Sequence, residues 1–187
     1  DFISSDNLGE TLFIEYSLLG LELDIASHAH SAAQQWLMQP RLMALRSSLG
    51  TNFSRRILSL ESELNYAMGD LETSIDKLIQ LGESFNERKT LGQSSIGLIH
   101  DKIWRQLNEL PFHRLQKTQL GDRDTPTGWY ELAAAVRYHQ GDPAAQQSRF
   151  AIWQQRWRDH PGAKKPPSAL TSRIKRRAPK NIALLLP

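Results

Sequence analysis

Apolar residues recur every three or four positions in one segment after another, and this spacing is the feature that most limits the fold. Residues spaced in this way share one face of an α-helix and need another helix to cover them. No convincing strand pattern occurs before residue 181. Representative series are Leu8, Leu12, Leu19 and Leu23, then Ile57, Leu60, Leu64 and Ala67, then Ile96, Ile99, Ile103 and Leu107. We therefore predict an all-α chain.

Two short connections predict how the helices pair. Gly69-Asp70 and Gly141-Asp142 each join a glycine, which can end a helix, to an aspartate, which can cap the next one. A tyrosine stands three residues before each glycine, and positions 69 and 141 are 72 residues apart. That distance is close to twice the roughly 34-residue period of tetratricopeptide repeats. The prediction is a stack of antiparallel, tetratricopeptide-like helical hairpins over residues 1–160, forming a right-handed solenoid segment.

The composition changes after residue 160. Residues 161–180 contain seven lysines and arginines, no acidic residue and almost no apolar periodicity. A stretch of this kind is typical of a solvated, extended linker. The residues expected to interrupt regular structure in this linker are Pro161, Gly162, Pro166, Pro167 and Pro179.

The two ends of the chain predict its context. Residues 181–187 form a continuous apolar run of the kind found in strands buried on both faces of a parallel sheet. Because the chain offers this strand no partner, we expect it to begin a further α/β domain. Residues 1–4 have neither the basic nor the apolar region of a signal peptide, which is expected of a cytosolic protein or of a mature fragment.

Charge is unevenly distributed and raises an alternative function. Lys/Arg against Asp/Glu number 5 against 13 in residues 1–87, 11 against 7 in residues 88–159, and 7 against 0 in residues 160–187. The basic tail resembles a nonspecific phosphate-binding patch, so a cytosolic adaptor that binds nucleic acid is one alternative. No aromatic residue is interleaved to stack on bases, which favours a linker that binds no nucleic acid. The clustered basic residues are Arg173, Lys175, Arg176 and Arg177.

Few groups in the sequence are candidates for catalysis or metal binding. Ser74 and Lys77 match the Ser-x-x-Lys element of penicillin-binding serine enzymes, but the companion elements are absent and a solvated helix surface explains the lysine. His28 and His30 are two residues apart, whereas metal ligands on a helix favour spacings of three or four. Cysteine is absent, which excludes disulfides and thiolate chemistry. We predict no enzymatic activity, no catalytic residue, no cofactor and no metal site.

The five tryptophans allow two interpretations. They could form an aromatic surface for a ligand, or they could fill gaps between helix pairs, and their positions on helical stripes favour the second. Trp157, which stands between Arg156 and Arg158, is expected to be partly exposed. The four tryptophans expected in the core are Trp36, Trp104, Trp129 and Trp153.

Several motifs in the second half of the chain carry a resemblance to a known family. They are Ile103-Trp104-Arg105-Gln106-Leu107, Gly128-Trp129-Tyr130-Glu131-Leu132, Ile152-Trp153-Gln154-Gln155-Arg156-Trp157, His160-Pro161-Gly162-Ala163, and the final run from Asn181 to Pro187. Through them, residues 103–187 resemble the bacterial outer-membrane lipoprotein activators of penicillin-binding proteins, the LpoA type. Residues 1–102 fit this family only by their helical character and hairpin turns.

The resemblance implies a tetratricopeptide-like N-terminal domain followed by a domain of the type I periplasmic-binding-protein fold, whose first strand would be residues 181–187. It also implies a lipid anchor in the outer membrane, which lies outside this sequence, and a protein that crosses the periplasm. Its expected partner is a class A penicillin-binding protein, a peptidoglycan synthase that the family stimulates chiefly through the second domain. Residues 1–160 are then expected to act as a scaffold that positions that domain. The sequence departs from the full family pattern because it lacks the lipidated cysteine, the signal sequence and most of the second domain.

Overall fold

A computed structural model describes residues 9–86, 93–116 and 124–175, which belong to two compact units. The N-terminal unit, residues 1–87, contains α1 (Glu10–Ala26), α2 (His30–Leu37), α3 (Pro40–Leu45), a 3-10 turn at Arg46–Ser48, α4 (Thr51–Ala67) and α5 (Leu71–Asn86). The C-terminal unit, residues 88–187, contains α6 (Gln93–Glu109), α7 (Phe112–Gln116), α8 (Thr125–Tyr138), α9 (Pro143–Arg156), α10 (Pro161–Lys164) and α11 (Ser168–Lys175). The regular structure of the described residues is entirely helical, which confirms the predicted all-α class.

The core of the N-terminal unit is mainly aliphatic. One side of α1 packs against α2 and α4, and α4 packs along α5 as the longest hairpin of the unit. These side chains leave water almost completely, and burial of each branched side chain stabilises the fold by roughly 1.5–3 kcal/mol. The buried apolar residues are Phe13, Ile14, Leu18, Leu21, Ala33, Leu42, Ile57, Leu60, Leu64, Ile75, Leu78, Ile79 and Leu81.

A buried carboxylate joins three parts of the N-terminal unit. Glu61 on α4 is only 6% exposed, yet it carries an ionisable group. Its oxygens accept from Arg46 Nη2 at 2.7 Å and from Lys77 Nζ at 2.9 Å. Arg46 belongs to the 3-10 turn and Lys77 to α5, so the carboxylate links both elements to α4. A buried charge of this kind is tolerated because it is paired and hydrogen-bonded.

Polar contacts also attach α1 to its neighbours. Arg56 on α4 donates to Glu15 at 2.6 Å and to Glu22 at 2.8 Å, one and three turns along α1. Trp36 on α2 donates its indole N–H to the Asp24 carboxylate at 2.7 Å. These contacts hold α1 by the edge that faces α4 and by the edge that faces α2.

The core of the C-terminal unit is rich in aromatic rings. The helix α8 is the most deeply enclosed element, with buried side chains on most of its circumference. Its neighbours α6, α7 and α9 surround it. The buried aromatic residues are Trp104, Trp129, Tyr130, Phe150, Trp153 and Trp157, and aliphatic side chains such as Ile103, Leu107 and Leu132 fill the spaces between them. The core positions predicted for Trp104, Trp129 and Trp153 are confirmed, whereas Trp36 is only partly buried and Trp157 is buried, contrary to expectation.

The predicted linker needs correction over residues 161–175. This segment contains α10 and α11, and Gly162, Pro167 and Leu170 are buried against the rest of the C-terminal unit. The composition does not predict these helices because Pro161 suggests an interruption, whereas proline is well placed at the first position of a helix. Pro166, which precedes α11, is partly buried. Pro179 and the strand expected at residues 181–187 lie outside the described residues.

Candidate functional site

The first predicted hairpin turn lies between α4 and α5. Gly69 has φ +83°, in the left-handed region that favours glycine, and its N–H donates to Tyr66 O at 3.0 Å. Asp70 follows and accepts from the Thr73 N–H at 3.2 Å and from the Thr73 hydroxyl at 2.7 Å. The glycine reverses the chain and the aspartate caps the first turn of α5.

The second predicted turn has the same construction between α8 and α9. Gly141 has φ +95°, and the carboxylate of Asp142 accepts from the N–H groups of Ala144 and Ala145, both at 3.0 Å. Pro143 occupies the first turn of α9, where its missing N–H costs nothing. Both Gly-Asp pairs are thus structural turns that set the antiparallel packing of their helices.

The Ser-x-x-Lys element is used for packing. Ser74 is fully buried, and its hydroxyl donates to the Ser62 carbonyl at 2.8 Å and lies 3.0 Å from the Ser62 hydroxyl. Lys77 instead binds Glu61. The serine hydroxyl is enclosed and the lysine amine is engaged elsewhere, so neither is arranged for nucleophilic attack.

The paired histidines of the N-terminal unit stand at a helix boundary. His28 adopts φ +60° in the connection between α1 and α2, and its ring centre lies 6.0 Å from that of His30. In the part of the chain that the structure describes, no group of three or more His, Asp or Glu side chains is placed to hold a metal ion. Also within that part, no helix is both long and apolar enough to cross a bilayer.

The densest arrangement of functional groups is an aromatic and histidine cluster in the C-terminal unit, formed by His100, Trp129, Trp153, Trp157 and His160. The His160 ring makes edge-to-face contacts with the three indoles at centroid distances of 5.1–5.7 Å. The His100 ring makes a further edge-to-face contact with Trp129 at a centroid distance of 5.0 Å. We refer to this set as the His-Trp cluster.

Hydrogen bonds fix the protonation state of His160. Its Nδ1 accepts from the Gly162 N–H at 3.0 Å, so its Nε2 carries the hydrogen and donates to Thr125 O at 2.9 Å. Burial lowers the pKa of His160 to about 4. A second proton on Nδ1 would face the Gly162 N–H and remain buried without an acceptor. The neutral ring is therefore part of the fold.

His100 plays a similar part beside the segment that follows. Its Nδ1 donates to Lys165 O at 2.7 Å, and burial lowers its pKa. Next to it, Asp101 Oδ1 accepts from the Ser168 N–H at 2.6 Å and caps α11. Two neighbouring residues of α6 therefore hold the chain between α10 and the start of α11.

Two glycines make room for the cluster. A Cβ at Gly128 would stand 2.5 Å from the His160 ring, and a Cβ at Gly162 would stand 2.7 Å from the Trp129 ring. The Gly128 carbonyl also accepts from the Trp153 indole at 2.9 Å. The motifs Gly128-Trp129 and His160-Pro161-Gly162 thus meet in space, which neither the spacing nor the composition of the sequence predicted.

A shallow groove of about 460 Å³ runs along α8 in the same unit. Phe112, Tyr138, Arg149 and Arg156 are among the residues that line it. Arg156 binds the Glu131 carboxylate in the groove at 2.9 Å, and Arg149 donates to the partly exposed His139 ring. The groove is lined by aromatic rings, charged side chains and one histidine.

Comparison with known proteins places this architecture in a family. The profile of the LppC putative lipoprotein family matches residues 2–187, which is almost the entire sequence. The chain belongs to the LppC lipoprotein family. A curated relative, "Penicillin-binding protein activator LpoA" from Edwardsiella ictaluri, is 27% identical over 184 residues, or 96% of this chain. The chain spans about a quarter of that relative's length, 25%.

Solved structures support the same fold. The LpoA N-terminal domain from Haemophilus influenzae aligns with a TM-score of 0.72 at 16% identity, covering 86% of this chain and 70% of that domain. The LpoA amino-terminal domain from E. coli aligns with a TM-score of 0.70 at 21% identity, covering 88% of this chain and 70% of that domain. The helical architecture described above is therefore that of LpoA N-terminal domains.

Proposed function

We propose that this chain is a scaffold and positioning domain of an outer-membrane lipoprotein that binds and stimulates a class A penicillin-binding protein, and so regulates peptidoglycan synthesis. The observation that carries the proposal is the match of the family profile over residues 2–187. The curated relative is named a penicillin-binding protein activator, and this name is the reason that we propose stimulation of the synthase. In this proposal the domain is a regulator and not an enzyme.

The structure supports a mechanical contribution. Within each unit, the helices paired by a Gly-Asp turn are held by charged or aromatic contacts, so the dimensions of that unit stay fixed. The groups that could have been reactive, Ser74 and His160, are enclosed in packing and hydrogen bonds. A domain of this kind raises the local concentration of an attached partner-binding domain near its target. It makes and breaks no covalent bond.

The packing of residues 161–175 changes where this scaffold ends. Since Leu170 is buried and α11 is capped by Asp101, the ordered part of the C-terminal unit extends beyond residue 160. We propose that this ordered part belongs to the scaffold, so that the scaffold is longer than residues 1–160.

Location and partner follow from the same proposal. The full-length protein would be held at the periplasmic face of the outer membrane by a lipid anchor, and the synthase would be contacted mainly by the following domain. The alternative, a cytosolic adaptor that binds nucleic acid through its basic tail, is not favoured by the family. It predicts a steep loss of binding to a random oligonucleotide as salt rises.

A pull-down from solubilised Gram-negative envelopes tests the proposal. Residues 1–187 and the full-length protein would each be immobilised, and the recovered class A synthase would be quantified. We expect strong recovery by the full-length protein and little by residues 1–187. Failure of both to recover synthase would contradict the proposed function, and strong recovery by residues 1–187 alone would show that the helical domain is itself the binding module.

A further inference from the structure

The groove along α8, which we call the α8 groove, is lined by side chains of three helices of the C-terminal unit. Phe112 comes from α7, and Arg149 and Arg156 come from α9. The lining residues of α8 extend from Glu131 to its C-cap, His139, which is about 12 Å at 1.5 Å per residue. An extended peptide rises about 3.3 Å per residue, so the groove has the length of about four residues of such a chain.

The volume of the groove depends on two small side chains. Ala134 and Ala135 line it, and each contributes only a methyl group. The space beside α8 therefore stays open, and its 460 Å³ lies within the range of about 300–1,000 Å³ that is usual for ligand sites. A larger side chain at Ala135, which is only partly buried, would fill this space.

An aromatic ring is presented to solvent in the groove. Tyr138 is 72% exposed, yet its ring contacts the rings of Phe112 and His139 at centroid distances of 6.5 Å and 5.1 Å. Phe112 is itself covered by the Arg137 guanidinium, which lies 6.0 Å from the ring centre. The tyrosine is thus oriented by its neighbours while one large apolar surface remains available for a ligand ring.

The groove also carries one positive charge that has no counter-charge. Both oxygens of Glu131 are occupied, because Oε1 accepts from Arg156 Nη1 at 2.9 Å and Oε2 accepts from Trp157 Nε1 at 3.1 Å. Arg149 is exposed and donates through Nε to His139 Nε2 at 3.0 Å. Among the residues that the structure describes, no carboxylate forms an ion pair with Arg149. Its terminal nitrogens suit a carboxylate, which guanidinium groups bind through two parallel hydrogen bonds.

One imidazole connects the charge to the aromatic ring. His139 contacts the Tyr138 ring and accepts from Arg149, so the cation and the exposed ring are neighbours through this side chain. In an extended peptide, side chains two positions apart point to the same face and are about 6.6 Å apart. An acidic residue and an aromatic residue at this spacing would reach Arg149 and Tyr138 together.

A second cavity of the unit, with a volume of about 410 Å³ at the end of α9, is different in charge. Its charged lining residues are Asp124, Arg156, Arg158 and Asp159, so basic and acidic groups balance. It gives no preference for an anion. A single unpaired guanidinium in the α8 groove likewise does not favour nucleic acid, because nucleic-acid binding depends on contacts with several phosphates.

We propose that the α8 groove binds a short acidic segment of another protein in an extended conformation. A carboxylate of that segment pairs with Arg149, and an aromatic side chain two positions away packs on Tyr138. The groove covers only about four residues of the segment, so the binding is weak and reversible. This site goes beyond the proposed function, which assigns contact with the synthase mainly to the following domain.

Fluorescence anisotropy with the full-length protein and a labelled peptide tests the proposal. The probe is a seven-residue serine peptide, acetylated and amidated, that contains one glutamate and, two positions later, one phenylalanine. We expect saturable binding that weakens at least about fivefold when glutamine replaces the glutamate or alanine replaces the phenylalanine. No saturable binding at millimolar protein, or equal binding of the glutamine peptide, would overturn the proposal. The assay contains no synthase, so its outcome does not depend on the proposed function.

Two arginine variants separate the groove from general charge attraction. Arg149→Gln removes the unpaired charge of the groove, whereas Arg158→Gln removes an equally charged, exposed side chain that does not line it. We expect the first to weaken binding of the probe at least about fivefold and the second to change it by less than about 1.5-fold. Equal losses for the two variants would overturn the proposal, since they would show attraction by net charge alone.

A blocking variant and a crosslink locate the peptide. Ala135→Leu fills the groove without a change of charge and should weaken binding by at least about fivefold, while circular dichroism and thermal unfolding verify that the variant is folded. A photo-crosslinking residue in place of the phenylalanine of the probe should label α7, α8 or α9 near Tyr138. Unchanged affinity of a folded Ala135→Leu variant, or crosslinks confined to other parts of the protein, would contradict binding in the α8 groove.

Discussion

The two units contain the same Gly-Asp hairpin but stabilise their helices with different chemistry. The N-terminal unit combines an aliphatic core with ion pairs, of which Glu61 with Arg46 and Lys77 is the most buried. The C-terminal unit relies on the His-Trp cluster, in which burial lowers the pKa of both His100 and His160. A shared turn therefore does not determine which interactions hold the helices together, and the two units should respond differently to mutation and pH.

Removal of Trp129 should have the largest of the predicted effects and should destabilise the C-terminal unit. The ring is 1% exposed and contacts His100, His160 and Gly162. We expect Trp129→Ala to lower the free energy of unfolding by about 3–5 kcal/mol, as large core truncations do. Hydrogen exchange read by mass spectrometry should show residues 161–175 losing protection.

A matched control for that variant is Leu98→Ala in the same unit. Leu98 is 68% exposed, so its truncation should change the free energy of unfolding by less than about 0.5 kcal/mol. Unchanged protection of residues 161–175 in the Trp129→Ala variant would show that the cluster does not hold α10 and α11.

The next largest effect should come from acidification, which should destabilise the C-terminal unit more than the N-terminal unit. The pKa of His160 is about 4 in the folded chain and near 6.5 when unfolded, so the unfolded state binds more protons between these values. The stability from neutral His160 is present above pH 6.5 and is lost as pH falls towards 4, by up to about 3 kcal/mol. His100, whose pKa is also lowered, acts in the same direction. Hydrogen exchange at pH 7 and pH 5 measures this loss locally.

The N-terminal unit provides the control for pH. The pKa of Glu22 is lowered by its hydrogen bond to Arg56, so its contribution is present above the ordinary carboxylate range and is lost only below it. Between pH 7 and pH 5 the helices α1 and α4 should keep their protection. A His160→Asn variant should show a shallower pH dependence in the C-terminal unit, and an unchanged slope would contradict the role of His160.

Neutralising Glu61 should instead destabilise the N-terminal unit. Glu61→Gln keeps the side-chain volume but leaves Arg46 and Lys77 without their buried anion. We expect the free energy of unfolding to fall by about 2 kcal/mol, with lost protection in α4 and α5. Glu83→Gln on exposed α5 surface is the control, with an effect under about 0.5 kcal/mol. Equal effects of the two substitutions in urea denaturation would contradict a stabilising role for the buried ion pairs of Glu61.

The smallest effects should come from the feature that the units share. Asp70→Ala and Asp142→Ala each remove a helix cap and should cost about 1 kcal/mol. Gly69→Ala and Gly141→Ala place a side chain at positive φ and should cost about 1–2 kcal/mol. Gly50→Ala, at φ −62° with open space around it, should be nearly neutral. Similar thermal shifts for all three glycine variants would show that positive φ is not what the turns require.

The sequence predicted the helices and both turns because these depend on residues close together in the chain. Periodicity identifies a helical face, and Gly69-Asp70 indicates the end of one helix followed by the N-cap of the next. The His-Trp cluster could not be predicted because Gly128 and His160 meet across 32 positions through shape alone. The ion pairs of Glu61 could not be predicted either, because its partners Arg46 and Lys77 lie on other elements. Proline at a first helical position looks like a breaker until the contacts of the following residues are known.

A domain replacement tests most directly the claim that this chain positions rather than recognises. In the full-length protein, residues 1–175 would be replaced by an unrelated helical-repeat domain of equal length. This protein and a purified class A synthase would be tethered to the same liposome surface, and stimulation of the synthase would be measured. The account predicts that stimulation is largely retained, because only spacing and anchoring are required of this part. Loss of stimulation by a folded, correctly anchored replacement would contradict it and assign specific recognition of the synthase to these helices.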